Sequence, residues 1–216
     1  MKKLTQAQLQ EKFETAVANA NHPEIASRLA AWSYDEAART ADLAFLAEVR
    51  EARATQQREI TQARAAQQTK VQARKAARAR VVVFQRFLRL ADRRNPGISI
   101  PSTLGMQHIP QAEAKFLDYT FSLLDRVAAQ ADIATALAKM GYDQTRLDGL
   151  RSLLDSVRQA SVVQIKEQGE AEQATAAYTA LIEQMRITYS YLKTISKEAL
   201  KDAPQLLEIM GIQVSS

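Results

Sequence analysis

Apolar residues recur along this chain at alternating steps of three and four over two long stretches. From Leu46 the steps pass through Val49, Ile60, Ala63, Ala77, Val81, Phe84 and Leu88 to Ala91. From Leu154 they pass through Val157, Ala171, Tyr178, Ile182, Met185, Tyr189 and Leu192 to Ala199. A mean spacing near 3.5 lines one side of an α-helix with apolar groups and is the signature of left-handed helix packing. After Ser33 no strong stop appears before Asn95-Pro96, and Gly149 and Gly169 are the only weak points between Tyr142 and Lys201. The pattern therefore predicts one long helix in each half of the chain.

The middle of the first stretch is polar on the same face. Arg53, Gln56, Gln67, Lys70 and Arg74 fall on inward steps, and burying such groups unpaired costs several kcal/mol each. Two paths satisfy this. The helix continues through a narrow, wet, partly polar waist, or it turns back near 56–68 and closes a four-helix bundle. The unbroken phase and the absence of turn residues favour the continuous path. Short helices are expected at 4–20, 24–32, 111–131 and 132–140. Phe13, Val17, Leu29, Trp32, Phe116, Phe121, Leu124 and Leu137 are their expected buried residues. Ser33 and Gly141 stand at the expected N-caps of the long helices, with Asp35 and Asp143 in the first turns.

The two halves are related in sequence. IASRLAAWSYD at 25–35 and IATALAKMGYD at 133–143 share six of eleven residues at an offset of 108. The same offset pairs Phe13 with Phe121, Val49-Arg50 with Val157-Arg158, Gln56 with Gln164 and Pro96 with Pro204. Three of the five prolines lie in NPGISIPSTLGMQHIP at 95–110, which reads as a linker. The expectation is an all-α protein of tandem duplicated helical units, 1–94 and 111–216, joined by the Pro/Gly linker 95–110. Each unit would hold short helices and one long heptad-patterned helix, together forming an elongated bundle or coiled coil.

Composition agrees and adds a charge asymmetry. Aromatics are only 6% of the residues, and much of the 46% hydrophobic content is alanine, a helix-favouring composition. There are no cysteines, which excludes disulfides, thiolate metal sites and a cysteine nucleophile. No run approaches a membrane span, and the N-terminus has no apolar run of a secretory signal, so a cytoplasmic location is expected. Residues 50–94 hold 13 Lys or Arg against three acids, whereas 158–202 hold six of each. At 100° per residue Arg53, Arg64, Arg74, Lys75, Arg78, Arg86, Arg89 and Arg93 gather on one side of the first long helix. This stripe is the candidate surface for nucleic acid, another polyanion or an acidic protein. The favoured reading of the stripe is a solvated face, or one paired with Glu167, Glu170, Glu172 and Glu183. Between 50 and 83 no aromatic is interleaved for base stacking.

No catalytic or cofactor signature accompanies these features. The two histidines, His22 and His108, belong to no Glu-x-x-His or His-Glu-x-x-His pair, and no Gly-rich phosphate loop or nucleophile elbow is present. Asp35 and Asp143 read as first-turn helix residues. No enzyme activity, no cofactor and no metal site are expected. GYDQTRLDGLRSLLDSV at 141–157 resembles a segment of uncharacterised bacterial proteins of duplicated helical build. The resemblance covers that segment and its weaker copy SYDEAARTADLAFLAEV at 33–49, which lacks the glycines, and it carries no activity. The function expected is structural: a self-associating helical scaffold whose first partner is itself, as a homo-oligomer or polymer. The alternative is polyanion binding through the basic helix 50–94.

Overall fold

The computed structural model describes residues 4–213. Every regular element among them is helical. In chain order these are α1 (Gln6–Asn19), α2 (Pro23–Ala30), α3 (Glu36–Arg94), α4 (Ile100–Thr103), α5 (Glu113–Ala129), α6 (Ala131–Ala138), α7 (Gln144–Ala199) and α8 (Pro204–Ile209). The order short, short, long, short occurs twice. Both long helices are continuous, at 59 and 56 residues. The chain does not turn back near 56–68, where Ala, Gln, Arg and Thr offer nothing to break a helix.

The ends of the short helices explain how the long ones are launched. α2 closes with Ser33 in the left-handed region at φ 63, where Tyr34 N donates to Leu29 O (3.1 Å) and Ser33 N to Ala30 O (3.1 Å). α6 closes in the same way at Gly141, φ 76, with Tyr142 N donating to Leu137 O (3.0 Å). These are Schellman endings, and the tyrosine that follows each, like the leucine of the last turn, is buried. Ser33 and Gly141 are therefore helix terminators, not the N-caps their position before Tyr-Asp suggests. The N-caps are the aspartates that follow. Asp35 Oδ1 accepts from Ala38 N (3.0 Å) and Asp143 Oδ1 from Arg146 N (3.1 Å), satisfying a free amide of the first turn.

The chain packs as two compact units that cut across the sequence halves. The first comprises Met1–Thr61 and Gly169–Ser216, the second Gln62–Gln168. In the first, α1, α2 and α8 pack with the N-terminal part of α3 and the C-terminal part of α7. Its core includes Phe13, Val17, Ile25, Leu29, Leu46, Val49, Ile182, Met185 and Leu192. Phe13 meets Phe45 and Tyr189 edge-on, with centroids 6.4 and 6.2 Å apart, the geometry aromatic quadrupoles prefer. In the second, α4, α5 and α6 pack with the rest of α3 and α7 around Val81, Phe84, Leu88, Phe116, Leu124, Leu137, Leu154 and Val157.

One expected core aromatic lies elsewhere. Trp32 is 49% exposed. α2 ends at Ala30 and its cap at Ala31, so Trp32 falls in the turn, off the apolar stripe that its spacing from Leu29 suggests. Phe121 packs partly buried against the second core, and the Arg158 guanidinium, 4.0 Å from its ring centroid, covers part of the rest.

Candidate functional site

The basic stripe of α3 divides into cations that brace the fold and cations that face water. Arg74 and Arg78 belong to the first group. Arg78 Nη1 donates to Pro110 O (2.6 Å), and its guanidinium lies 5.3 Å from the Phe116 ring centroid. Arg74 Nη2 donates to Gln111 O. Pro110 and Gln111 lead into α5, and loop carbonyls there have no ladder partner of their own. Two charge-assisted hydrogen bonds supply one. Nearby, Gln85 is buried and donates through Nε2 to Gln107 O (3.1 Å) and to Tyr119 Oη (2.7 Å). The 104–111 segment is thus fastened to α3 by three polar side chains.

The remaining predicted cations are free. Arg64, Lys75, Arg86, Arg89 and Arg93 are exposed and make no ion pair or side-chain hydrogen bond among the described residues. All five belong to the second unit. Arg53 is also exposed but belongs to the first unit. Glu183 and Glu167, considered as neutralising acids, pair with cations on α7, Arg186 at 3.6 Å and Lys166 at 3.6 Å.

Lys70, an inward polar step, is satisfied within the second unit. Its Nζ lies 3.5 Å from Glu113 Oε1 and 3.4 Å from Gln164 Oε1, while Ser161 Oγ donates to Glu113 (2.7 Å). Gln56 Nε2 approaches Thr175 Oγ1 at 3.4 Å in the first unit. Lys70 and Gln56 pair here instead of being desolvated alone, whereas Arg53 and Gln67, also on inward steps, stay exposed to water. The periodic pattern marked these positions but not their partners.

The second unit also carries an open cleft of about 680 Å³ between the 104–110 segment and α5. Its polar rim includes His108, Lys115, Asp118, Tyr119 and Arg126. Tyr119 is committed to Gln85 and Gln107, and Arg126 Nη1 donates to Leu104 O (2.8 Å). Those two side chains hold the wall of the cleft. In the first unit Tyr34 Oη donates to Asp42 Oδ2 (2.9 Å). Burial pushes the Asp42 carboxyl above its usual range, against the lowering effect of the Tyr34 bond, and it raises Tyr34 as well. Tyr34 lies just before α3 and Asp42 in its second turn.

No protein-family model matches the chain, and comparisons with curated proteins and with solved structures find no match. No helix among the described residues is long and apolar enough to cross a membrane.

Proposed function

We propose that this chain is a structural protein, a duplicated helical building block that associates with its own kind through α7. The observation that carries this reading is a pair of exposed apolar side chains on that helix in each of the two units. Ile187 and Tyr191, four residues apart on one face, are 72% and 60% exposed, and Val162 and Ile165 are 65% and 67% exposed. Exposed apolar side chains grouped at helical spacing are a contact surface for another helix. Beside Val163 lies an open groove of about 500 Å³, lined by Ala66, Thr69, Ser152, Ser156 and Ala160 together with Asp155 and Gln159. Small residues let a second helix backbone approach closely. The duplication is supported by the repeated helix order, by the 108-residue offset and by the matching Schellman and aspartate caps at Ser33–Asp35 and Gly141–Asp143.

The test is light scattering coupled to size exclusion on nuclease-treated protein at low and high salt. A salt-resistant oligomer is expected, because apolar contacts are not screened. Ile187→Lys with Tyr191→Lys, and Val162→Lys with Ile165→Lys, should dissociate it while leaving the circular dichroism of the exposed helix faces unchanged. A wild-type monomer at every concentration sinks the reading.

A further inference from the structure

We infer that the outer face of α3 in the second unit binds the phosphate backbone of a nucleic-acid duplex. The inference is independent of self-association, which uses α7. It starts from charge. Residues 62–168 hold 17 Lys or Arg against nine Asp or Glu, a net of +8. Residues 1–61 and 169–216 hold 12 against 15, a net of −3. The whole-chain value of +5 hides two units of opposite sign. Within 62–94 alone there are ten cations and one acid, Asp92. That acid is turned inward and accepts from Ile100 N at 2.8 Å.

The five free cations of the stripe are aligned, while Arg80 and Arg94, also exposed, lie off it. At 100° per residue Arg64, Lys75, Arg86, Arg89 and Arg93 fall within about 60° of arc. They span roughly 43 Å of helix at 1.5 Å per residue, more than one duplex turn of about 34 Å. Exposed arginines without partners stay hydrated at little cost, and each releases a condensed counterion when it meets a phosphate. The occupant follows from what the face lacks. Single strands are held by base stacking on aromatics, and the aromatics of this segment, Phe84 and Phe87, pack in the core. A membrane surface needs a broad apolar face, and here the apolar side of α3 is spent on the core. Only Val71, Val82 and Leu90 stand exposed among the cations. A duplex backbone asks for positive charge alone.

The test is fluorescence anisotropy of the full chain with a labelled mixed-sequence duplex of about 30 base pairs across a salt series. Five phosphate contacts give a slope of log affinity against log salt near −4.5, so affinity falls about 500-fold between about 50 and 200 mM NaCl. Replacing Arg86, Arg89 and Arg93 by Gln together should reduce the slope to about −1.8 and the fall to about 12-fold. Replacing Lys193, Lys197 and Lys201 of the first unit by Gln removes the same charge and should leave the slope as in wild type. Equal slopes for the two triple variants, or no duplex binding at 50 mM NaCl, overturns the inference. Tighter retention on phosphatidylserine vesicles than on duplex at equal anionic-group concentration overturns it in favour of a membrane.

Discussion

Arg78 and Arg86 lie on the same helix with the same charge, yet they should behave oppositely on substitution. Arg78 donates to Pro110 O at 2.6 Å and covers the Phe116 ring. Arg86 is exposed and touches no acceptor among the described residues. A hydrogen bond from a charged donor contributes about 1.5–3 kcal/mol, and a guanidinium over an aromatic ring about 0.5–1 kcal/mol. Arg78→Gln shortens the side chain and removes both, so it should destabilise by at least about 2 kcal/mol. Arg86→Gln should stay within about 0.5 kcal/mol of wild type. Urea unfolding followed by circular dichroism at 222 nm reads the difference. With m near 2 kcal/mol per molar, the Arg78 variant should unfold at least about 1 M earlier, with m unchanged. The duplex-binding experiment should show the reverse order: Arg78→Gln leaves the salt slope unchanged below its unfolding transition, and Arg86→Gln lowers it by about 0.9. Equal shifts of the unfolding midpoint for the two variants would refute the division of the stripe into bracing and free cations.

Two further substitutions probe the local chemistry of each unit. Gly105 has φ +58, and a Cβ built there lies 2.6 Å from Arg126 Nη1. Gly105→Ala should cost about 2 kcal/mol in thermal unfolding, about 1 from the left-handed backbone and about 1 from the displaced Arg126–Leu104 bond. Gly97→Ala, with open space and an ordinary φ, should be neutral or slightly stabilising. Asp42 carries a folded-state pKa raised from 3.8, so its protonated form suits the fold. Its contribution is fully present below 3.8 and is lost as pH rises through the raised value. Glu14 has the opposite sign. Burial would raise it, but Arg50 and Gln10 outweigh that and lower it below 4.5, so its contribution is lost as pH falls. Denaturation midpoints of wild type minus Asp42→Asn isolate the first effect. The difference should move against wild type as pH rises from about 3.8 and then level off, whereas a flat difference from pH 3 to 7 would reject it.

Periodicity and the absence of turn residues near 56–68 together were enough to read both long helices, because an unbroken phase with no breaker favours a continuous helix over a turn back. Prolines and glycines marked the breaks between short elements for equally local reasons. What was not legible depends on groups distant in sequence or on backbone sign. Ser33 looks like an N-cap by residue type, and only φ 63 shows that it ends the helix before. The Gly at its counterpart, position 141, was the available clue, since glycine suits a left-handed terminator better than a cap. The spacing of Trp32 from Leu29 sets it on a helix face, but the helix stops two residues earlier. Arg74 and Arg78 were indistinguishable from their neighbours on the stripe, because their acceptors are backbone carbonyls at 111 and 110. A backbone carbonyl leaves no mark in a residue pattern.

The division of charge by packed unit was hidden for a related reason. Counted along the sequence halves, the basic stretch looks like a property of the first long helix as a whole. Counted by packing, the basic part of α3 joins α4–α6 and the start of α7, and the acids of the chain's two ends collect in the other unit. A helix can therefore be basic over its whole exposed length while only one of the units it enters is positive. Arg53 tests the point. It shares the stripe and the exposure of Arg64, but its unit carries a net −3, and the surrounding acids lower the potential a polyanion would meet there. If unit charge decides where phosphate binds, Arg53 contributes less to the salt slope than Arg64, although both lie on one helix and one face.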